Sequence, residues 1–415
     1  MLTGRLNRVF AGLVGAFVAT LSACVLPDVV AALGESGDGM RGFPTRVVES
    51  LTKKFPMKTR VFVNLNGGVA RLVGRRICNN RIRYRNGMVG SLSESTHRRI
   101  ARDGLEVGRL VSFAGKMRRD GIPFLFALAP DKMPLDNSLF PEGWRGEGPN
   151  GAARAVARLV AEDGTEVLDL TARFAATRED VEKHFFWTDH HWNVRTAFQA
   201  TGLICDRLAT LLNEPSLRDN PRLSPESWRW RVLKNSFVGA HGRRTGALFS
   251  GVEDFEYPLP RFATSQESFV PGTKDRRRGG FVPAEFVKRY LKPDQREWRW
   301  LAYGGPPKGL RVHRNAAPVV EKRCLVVKDS FGRHVISFLS VVFREVIEVD
   351  PRLLADGETV EGIAEGYRPD VTLLIVNPSS LLGSRWWQRV ESKAAKQGAA
   401  AREANRPRGA VKDPV

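Results

Sequence analysis

The chain has 415 residues, 42% of them hydrophobic, and 65 Lys and Arg against 45 Asp and Glu leave a formal net charge of +20. That length and apolar content exclude a disordered or fibrous chain and suit one large domain, or one with an inserted subdomain. The charge points to an anionic partner such as nucleic acid, an anionic membrane surface or an acidic polymer. Part of it lies in residues 389–415, including Arg389, Lys393, Lys396, Arg402, Arg406, Arg408 and Lys412, a basic tail that reads as solvated extension rather than a site.

Residues 1–35 read as a membrane signal. Arg5 and Arg8 precede an apolar run over 9–26 that Pro27 ends, and about 18 apolar residues is the lower limit for a span. Positive residues before the run predict a cytoplasmic N-terminus and an exported body. A cleaved signal peptide, or a lipoprotein site at Leu21-Ser22-Ala23-Cys24, are the other readings. All three put the body, residues 36–388, outside the cytoplasm.

Residues 36–110 read as polar and irregular, with a hairpin-type turn at Arg85-Asn86-Gly87-Met88-Val89. From there helices and strands alternate: helix 107–119, strand 122–128, helix 151–161 and strand 167–170. Asn193 caps a long amphipathic helix reaching about residue 212. Strands follow at 324–327, 346–349 and 371–376, with a helix at 332–339. Such alternation predicts an α/β fold, a mainly parallel sheet with helices on both faces. Residues 215–320, rich in Pro, Gly, Arg and Trp with a basic run at Arg276-Arg277-Arg278, interrupt the alternation and read as an insertion of irregular or small β elements beside the cleft. Cys78, Cys205 and Cys324 have no metal-ligand spacing and read as buried thiols.

Two short motifs carry chemistry. Trp187-Thr188-Asp189-His190-His191-Trp192 supplies a carboxylate and imidazoles, and Lys328-Asp329-Ser330-Phe331-Gly332 supplies a hydroxyl. Asp189 would hold His191 in one tautomer, and His191 would take the proton of Ser330. Ser330 falls on a turn between a strand and a helix, where the backbone N–H groups of Ser330 and Phe331 are candidates for an oxyanion hole. Each motif has a plainer reading. The first could be a polar loop around a buried Trp, or a metal site formed by His184, Asp189, His190 and His191. The second could be a helix N-cap.

In sequence order the motifs resemble those of the alginate O-acetyltransferase family, SGNH-hydrolase-like proteins with an Asp-x-His-Trp motif upstream of the serine. The resemblance spans roughly residues 1–380. It includes Gly121-Ile122 leading to Pro130-Asp131-Lys132, Gly239 to Gly242, Tyr303-Gly304-Gly305, Asn315 and Val349-Asp350-Pro351-Arg352. It implies an SGNH-like fold with permuted catalytic motifs, Ser330 as nucleophile, His191 as general base and Asp189 as its orienter. His190 has a supporting role and Arg352 contacts substrate; a surface Arg at a strand end is the equal alternative for Arg352. The helix after the first motif opens Asn193-Val194-Arg195 rather than with the family's Gly-Ala type, and a second carbohydrate-binding domain is not recognisable. The implied activity is periplasmic O-acetylation of an exported, acidic polysaccharide from an inner membrane anchor. A membrane-bound acyltransferase would supply acetyl, with no metal, no cofactor and no nucleic acid. A polysaccharide acetyl esterase and a non-catalytic polysaccharide-binding assembly protein are the alternatives.

Overall fold

The apolar runs Leu325-Val326-Val327 and Leu373-Leu374-Ile375-Val376 leave no polar face, so their strands must be covered on both sides. The computed structural model describes residues 60–91, 105–136, 138–139, 149–281, 288–289, 292, 306–382 and 390. The expected anchor and Cys24, the Tyr303-Gly304-Gly305 motif and the tail apart from Val390 lie outside the described residues; Val390 itself is buried in the core rather than solvated. Among the described residues no helix is long and apolar enough to cross a membrane. The chain falls into two units, residues 1–66 and 67–415, and the sheet and the site lie in the second.

Helix α1 (Arg60–Leu72) precedes a small antiparallel sheet of β1 (Ile77–Cys78), β2 (Arg81–Arg83) and β3 (Val89–Ser91). There follow α2 (Leu105–Arg119), β4 (Phe124–Leu128), α3 (Pro149–Glu162), β5 (Glu166–Asp169), α4 (Thr171–Phe174), α5 (Arg178–His184) and α6 (Val194–Leu212). Strands β6 (Trp228–Phe237) and β7 (Glu253–Pro260) pair as a ribbon, with α7 (Ala240–Thr245) and α8 (Ala247–Ser250) between them. The chain continues through β8 (Gln266–Phe269), β9 (Arg276–Gly279), β10 (Leu310–Asn315), β11 (Val320–Lys328), α9 (Gly332–Leu339), β12 (Phe343–Val349), α10 (Val360–Tyr367), β13 (Val371–Val376) and α11 (Pro378–Leu381).

The main sheet has eight strands in the order β5-β4-β13-β11-β12-β10-β8-β9. Strands β5 to β12 of that order run parallel, and β10, β8 and β9 extend the sheet in antiparallel pairing. Alternate residues build two cores. Leu125, Ala127, Cys324, Val326, Leu373 and Ile375 pack with α6 and α9 through Phe198, Ile204, Val335 and Phe338. Phe124, Phe126, Leu325, Val327, Leu374 and Val376 pack with α2, α3 and α10 through Phe113, Val156 and Val360. A helical cover on both faces is what a buried parallel sheet requires.

Several local signals act as the sequence predicts. Asn193 caps α6 by accepting from the Thr196 N–H, and Gly87, at φ +94°, turns the chain between β2 and β3. Cys78, Cys205 and Cys324 are all buried. The irregular reading of 36–110 misses α1, whose Asn-Gly-Gly interior is a poor helix former. Packing explains those glycines. A Cβ on Gly67 would sit 1.9 Å from the Thr245 carbonyl oxygen, and one on Gly68 would sit 3.0 Å from Leu248. From Gly67 onward the helix therefore lies flush on α7 and α8 only without side chains there. The Arg run at 276–278 is the outermost strand, where Arg276 and Arg278 both bond Glu267; charged edges resist strand addition.

Candidate active site

Parallel strands deliver their carboxyl ends to one edge of a sheet, and loops from there line the cleft. Here β4 leads to Asp131 and Lys132, β11 to Ser330, β12 to Arg352, and β13 to Asn377, Ser379 and Ser380. All of these line one cavity of about 420 Å³, together with Arg81, His190, His241 and Arg244.

The serine turn is closed by Asp329. Its buried carboxylate accepts from the Phe331 N–H at 2.8 Å and, across the sheet, from the Asn377 N–H at 2.9 Å. The carboxylate thus ties the ends of β11 and β13 together with Ser330 between them. Gly332 permits this closeness, since a Cβ there would come within 2.6 Å of Lys328 and 2.7 Å of Ile375. Two expectations change. Helix α9 has no side-chain N-cap, so Asp329 closes a turn rather than capping a helix. The Phe331 N–H is spent on Asp329 and is withdrawn as an oxyanion donor. Ser330 is partly buried and, among the described residues, its hydroxyl makes no hydrogen bond.

The Asp-His-His-Trp segment is a loop pinched between α5 and α6 by the Phe185–Trp192 bridge and the Asn193 N–H to His184 O bond. Asp189 is fully buried and His191 nearly so. Oδ1 of Asp189 accepts from the His191 N–H at 3.0 Å and lies 2.7 Å from His191 Nδ1, while Oδ2 accepts from the Ala240 N–H at 2.6 Å. Burial works against ionising this carboxyl, yet His191, His190 and the Ala240 N–H outweigh it and hold Asp189 well below the usual carboxylate range. An ionised carboxylate only accepts, so Nδ1 of His191 donates and Nε2 is the basic nitrogen. The Trp192 indole N–H reaches the Phe331 carbonyl at 3.1 Å, and the rings of His191 and Phe331 stand 5.1 Å apart. This motif therefore abuts the residue after Ser330.

Three partners hold the loop, and none of them belongs to the motif. The buried Lys132 Nζ donates to the carbonyls of Val89, Trp187 and Asp189 at 2.8, 2.8 and 2.9 Å. Glu253 accepts the Trp187 and Thr188 N–H groups, both at 2.7 Å, and the Thr188 hydroxyl. One cation thus grips the carbonyls and one anion the amides. Burial pushes Lys132 down and Glu253 up from their ordinary values, and their full sets of hydrogen bonds favour the charged forms of both. The third partner is Gly239, where a Cβ would meet the Asp189 Cβ at 2.3 Å. Only glycine lets the start of α7 approach the acid. The segments Pro130-Asp131-Lys132 and Gly239 to Gly242 mark two of these partners in the sequence without revealing their roles; Glu253 has no signal there.

Of the remaining site residues, Arg352 is 41% exposed and forks onto buried Asp350 through Nε and Nη2 at 2.9 and 2.8 Å. Its other donors stay available on the cavity wall. Asp350 also lies 3.5 Å from buried Lys328, which pairs with Glu348 at 3.0 Å. His190 lines the cavity with Nδ1 3.3 Å from Asp189; burial and His191 keep it well below its ordinary pKa. For the metal alternative, ligand atoms of Asp189, His190 and His191 lie within 4.8 Å of one another. His184 is not among them and instead bonds Thr196 Oγ1 at 2.9 Å. A cation there would compete with the donors already on Asp189.

Fold and cavity together define an α/β domain with its candidate site at the carboxyl edge of the parallel strands. Residues 94–222 match the family model of the SGNH hydrolase-like domain of the acetyltransferase AlgX. That stretch contains Asp189 and His191; Ser330 lies beyond it. Among solved structures, Bacillus cereus PatB1 with a sulfonyl adduct is similar at a TM-score of 0.55 and 17% identity, over 74% of this chain and 96% of that one. A DHHW family protein from Eubacterium siraeum is similar at 0.54 and 14% identity, over 76% and 98%. At such identities the likeness concerns the fold. No curated protein matches in sequence.

Proposed function

We propose that this protein is an O-acetyltransferase acting on an exported polysaccharide through an acetyl-enzyme at Ser330. The observation that carries the reading is the Asp189–His191 pair at 2.7 Å, set against Phe331 beside the cavity that Ser330 lines. The match to an acetyltransferase family supports it.

In this reading the Ser330 hydroxyl attacks the carbonyl carbon of an acetyl donor while His191 Nε2 takes its proton. The tetrahedral intermediate collapses, the donor leaves with that proton, and acetyl remains as an ester on Ser330. A sugar hydroxyl then attacks the ester, again losing its proton to His191, which returns it to the Ser330 oxygen as that leaves. Asp189 keeps Nδ1 protonated and steadies the imidazolium in each half. Arg352 and His190, on the cavity wall, contact the substrate.

An acidic polymer suits the cationic lining of Arg81, Arg244 and Arg352 and the net charge of +20. The acetyl donor is a membrane-bound acyltransferase and the body is periplasmic, anchored through residues 1–35; both follow from the resemblance and the apolar run. The body then comprises residues 36–388, with 215–320 inserted and 389–415 as a tail.

The test compares the full-length protein with Ser330→Ala, each given an activated acetyl ester and short acidic or neutral oligosaccharides, with product masses as readout. Acetylated sugar from wild type, reduced at least about 10³-fold in the variant, supports the proposal. Serine-dependent free acetate without acetylated sugar moves the reading to an esterase. Equal products from both proteins exclude serine acyl transfer.

A further inference from the structure

Acyl transfer develops negative charge on the carbonyl oxygen, and preorganised donors at that point contribute a large share of the rate. One backbone donor of the serine turn is already engaged, because the Phe331 N–H bonds Asp329 Oδ1 at 2.8 Å. A side chain on the same cavity wall is built to supply a replacement.

His241 is 5% exposed and lines the cavity that Ser330 lines. Behind it, Arg81 Nε stands 2.9 Å from His241 Nδ1. A guanidinium Nε–H can only donate, so Nδ1 must be the acceptor and the neutral ring carries its proton on Nε2. Burial first, then His190 and Lys132, keep the imidazole well below its ordinary pKa, with only Asp189 opposing. The ring is therefore a neutral donor of fixed tautomer, polarised by the cation behind it. Its place is tied to the rest of the site. Ala240, the preceding residue, gives its N–H to Asp189 Oδ2 at 2.6 Å, and the His190 ring lies 5.6 Å from the His241 ring.

We propose that His241, held as its Nε2–H tautomer by Arg81, is a further catalytic residue that donates a hydrogen bond to the acyl oxygen during transfer at Ser330. The inference rests on the acyl-transfer reading and supplies a second donor beside the Ser330 N–H, in the place the Phe331 N–H gives up to Asp329. It also unites the Gly239-Ala240-His241-Gly242 segment, whose backbone orients the acid while its side chain meets the oxyanion.

Two measurements test it on the full-length protein. In ¹⁵N-histidine-labelled protein, two-bond ¹H–¹⁵N correlations report each ring's tautomer, and the His241 signal is the one lost in His241→Gln. The expected result is a neutral Nε2–H ring from about pH 5 to 8; an Nδ1–H ring, or titration near the usual value of about 6.5, overturns the proposal. In kinetics, His241→Ala is expected to lower kcat about 10²-fold with KM within about threefold. His241→Gln, whose amide N–H reaches the same place, should recover at least tenfold of that loss with an unchanged pH profile. A loss below about threefold, a loss carried by KM, or no recovery with Gln overturns the inference wherever Ser330→Ala still abolishes transfer. Full activity in Ser330→Ala removes the acyl-transfer reading itself, so the two failures are distinguishable.

Discussion

The serine turn and the Asp-His-His-Trp loop face one another, yet they are held by different means. Ser330 rides on the end of β11, a central strand hydrogen-bonded to β12 and β13. One carboxylate, Asp329, completes the turn by joining two strand ends. Among the described residues the loop joins no ladder of the main sheet, and it meets β3 through the Val89 N–H on the Trp187 carbonyl. It is suspended from Lys132, Glu253 and the backbone of Gly239-Ala240, three segments far apart in the chain. The position of Ser330 is thus set by backbone ladders that many residues share, and that of the Asp189–His191 pair by a few buried polar groups that cannot be replaced singly. Buried networks of that kind are costly when one member is lost, because the remaining members stay desolvated.

Four experiments would break or sharpen this contrast. The largest effect is expected from Asp189→Asn, which keeps the shape but offers one acceptor where His191 and Ala240 use two, so the His191 tautomer is no longer fixed. Its kcat for acetyl transfer should fall about 10⁴-fold, and a variant keeping a tenth of its activity would end the dyad assignment. Lys132→Met comes next. It takes a donor from the carbonyls of Val89, Trp187 and Asp189, of which Trp187 keeps the Val89 N–H at 2.9 Å, and leaves Glu253 without its cation, so urea unfolding should show a loss of about 3–5 kcal/mol. A change within about 0.5 kcal/mol would mean the loop does not depend on that grip. Gly239→Ala should cost about 1–3 kcal/mol through overpacking against Asp189, and kcat should fall further than that stability loss explains. An alanine variant with native kcat would show that the α7 start has room to yield.

The smallest effect is a pH dependence. Asp189 titrates below its ordinary value, so its contribution is complete above the unfolded carboxyl pKa of about 4 and is lost as pH falls towards the folded value. The Tm gap between wild type and Asp189→Asn should hold steady just above pH 4 and narrow below it. A gap that widens on acidification would contradict the direction of the shift.

The legibility of the two regions follows the same division. The apolar stretch 324–327 announces the inner half of β11 but not its largely polar start at 320–323, β13 and α9 fall at the predicted 371–376 and 332–339, and Asn193 caps α6 as expected, because burial and capping are local properties of sequence. Helix α1 was hidden since its glycines answer to Thr245 and Leu248, residues far along the chain. Within the site, residue types could be read but commitments could not. That the Phe331 N–H belongs to Asp329, and that Nδ1 of His241 belongs to Arg81, depends on geometry.

By itself, the sequence determined the α/β alternation, the strand that carries Ser330, and the carboxylate–imidazole chemistry of Asp189 and His191. Those follow from hydrophobic periodicity and from what each side chain can donate, accept or titrate. Only the tertiary structure decided the strand order, the cavity shared by residues from β4, β11, β12 and β13, and the grip of Lys132 and Glu253 on the loop. It also decided the tautomers of His191 and His241. The physical reason is the same in each case. A buried polar group must find its partner wherever the fold brings one, and that partner's position in sequence carries no energy.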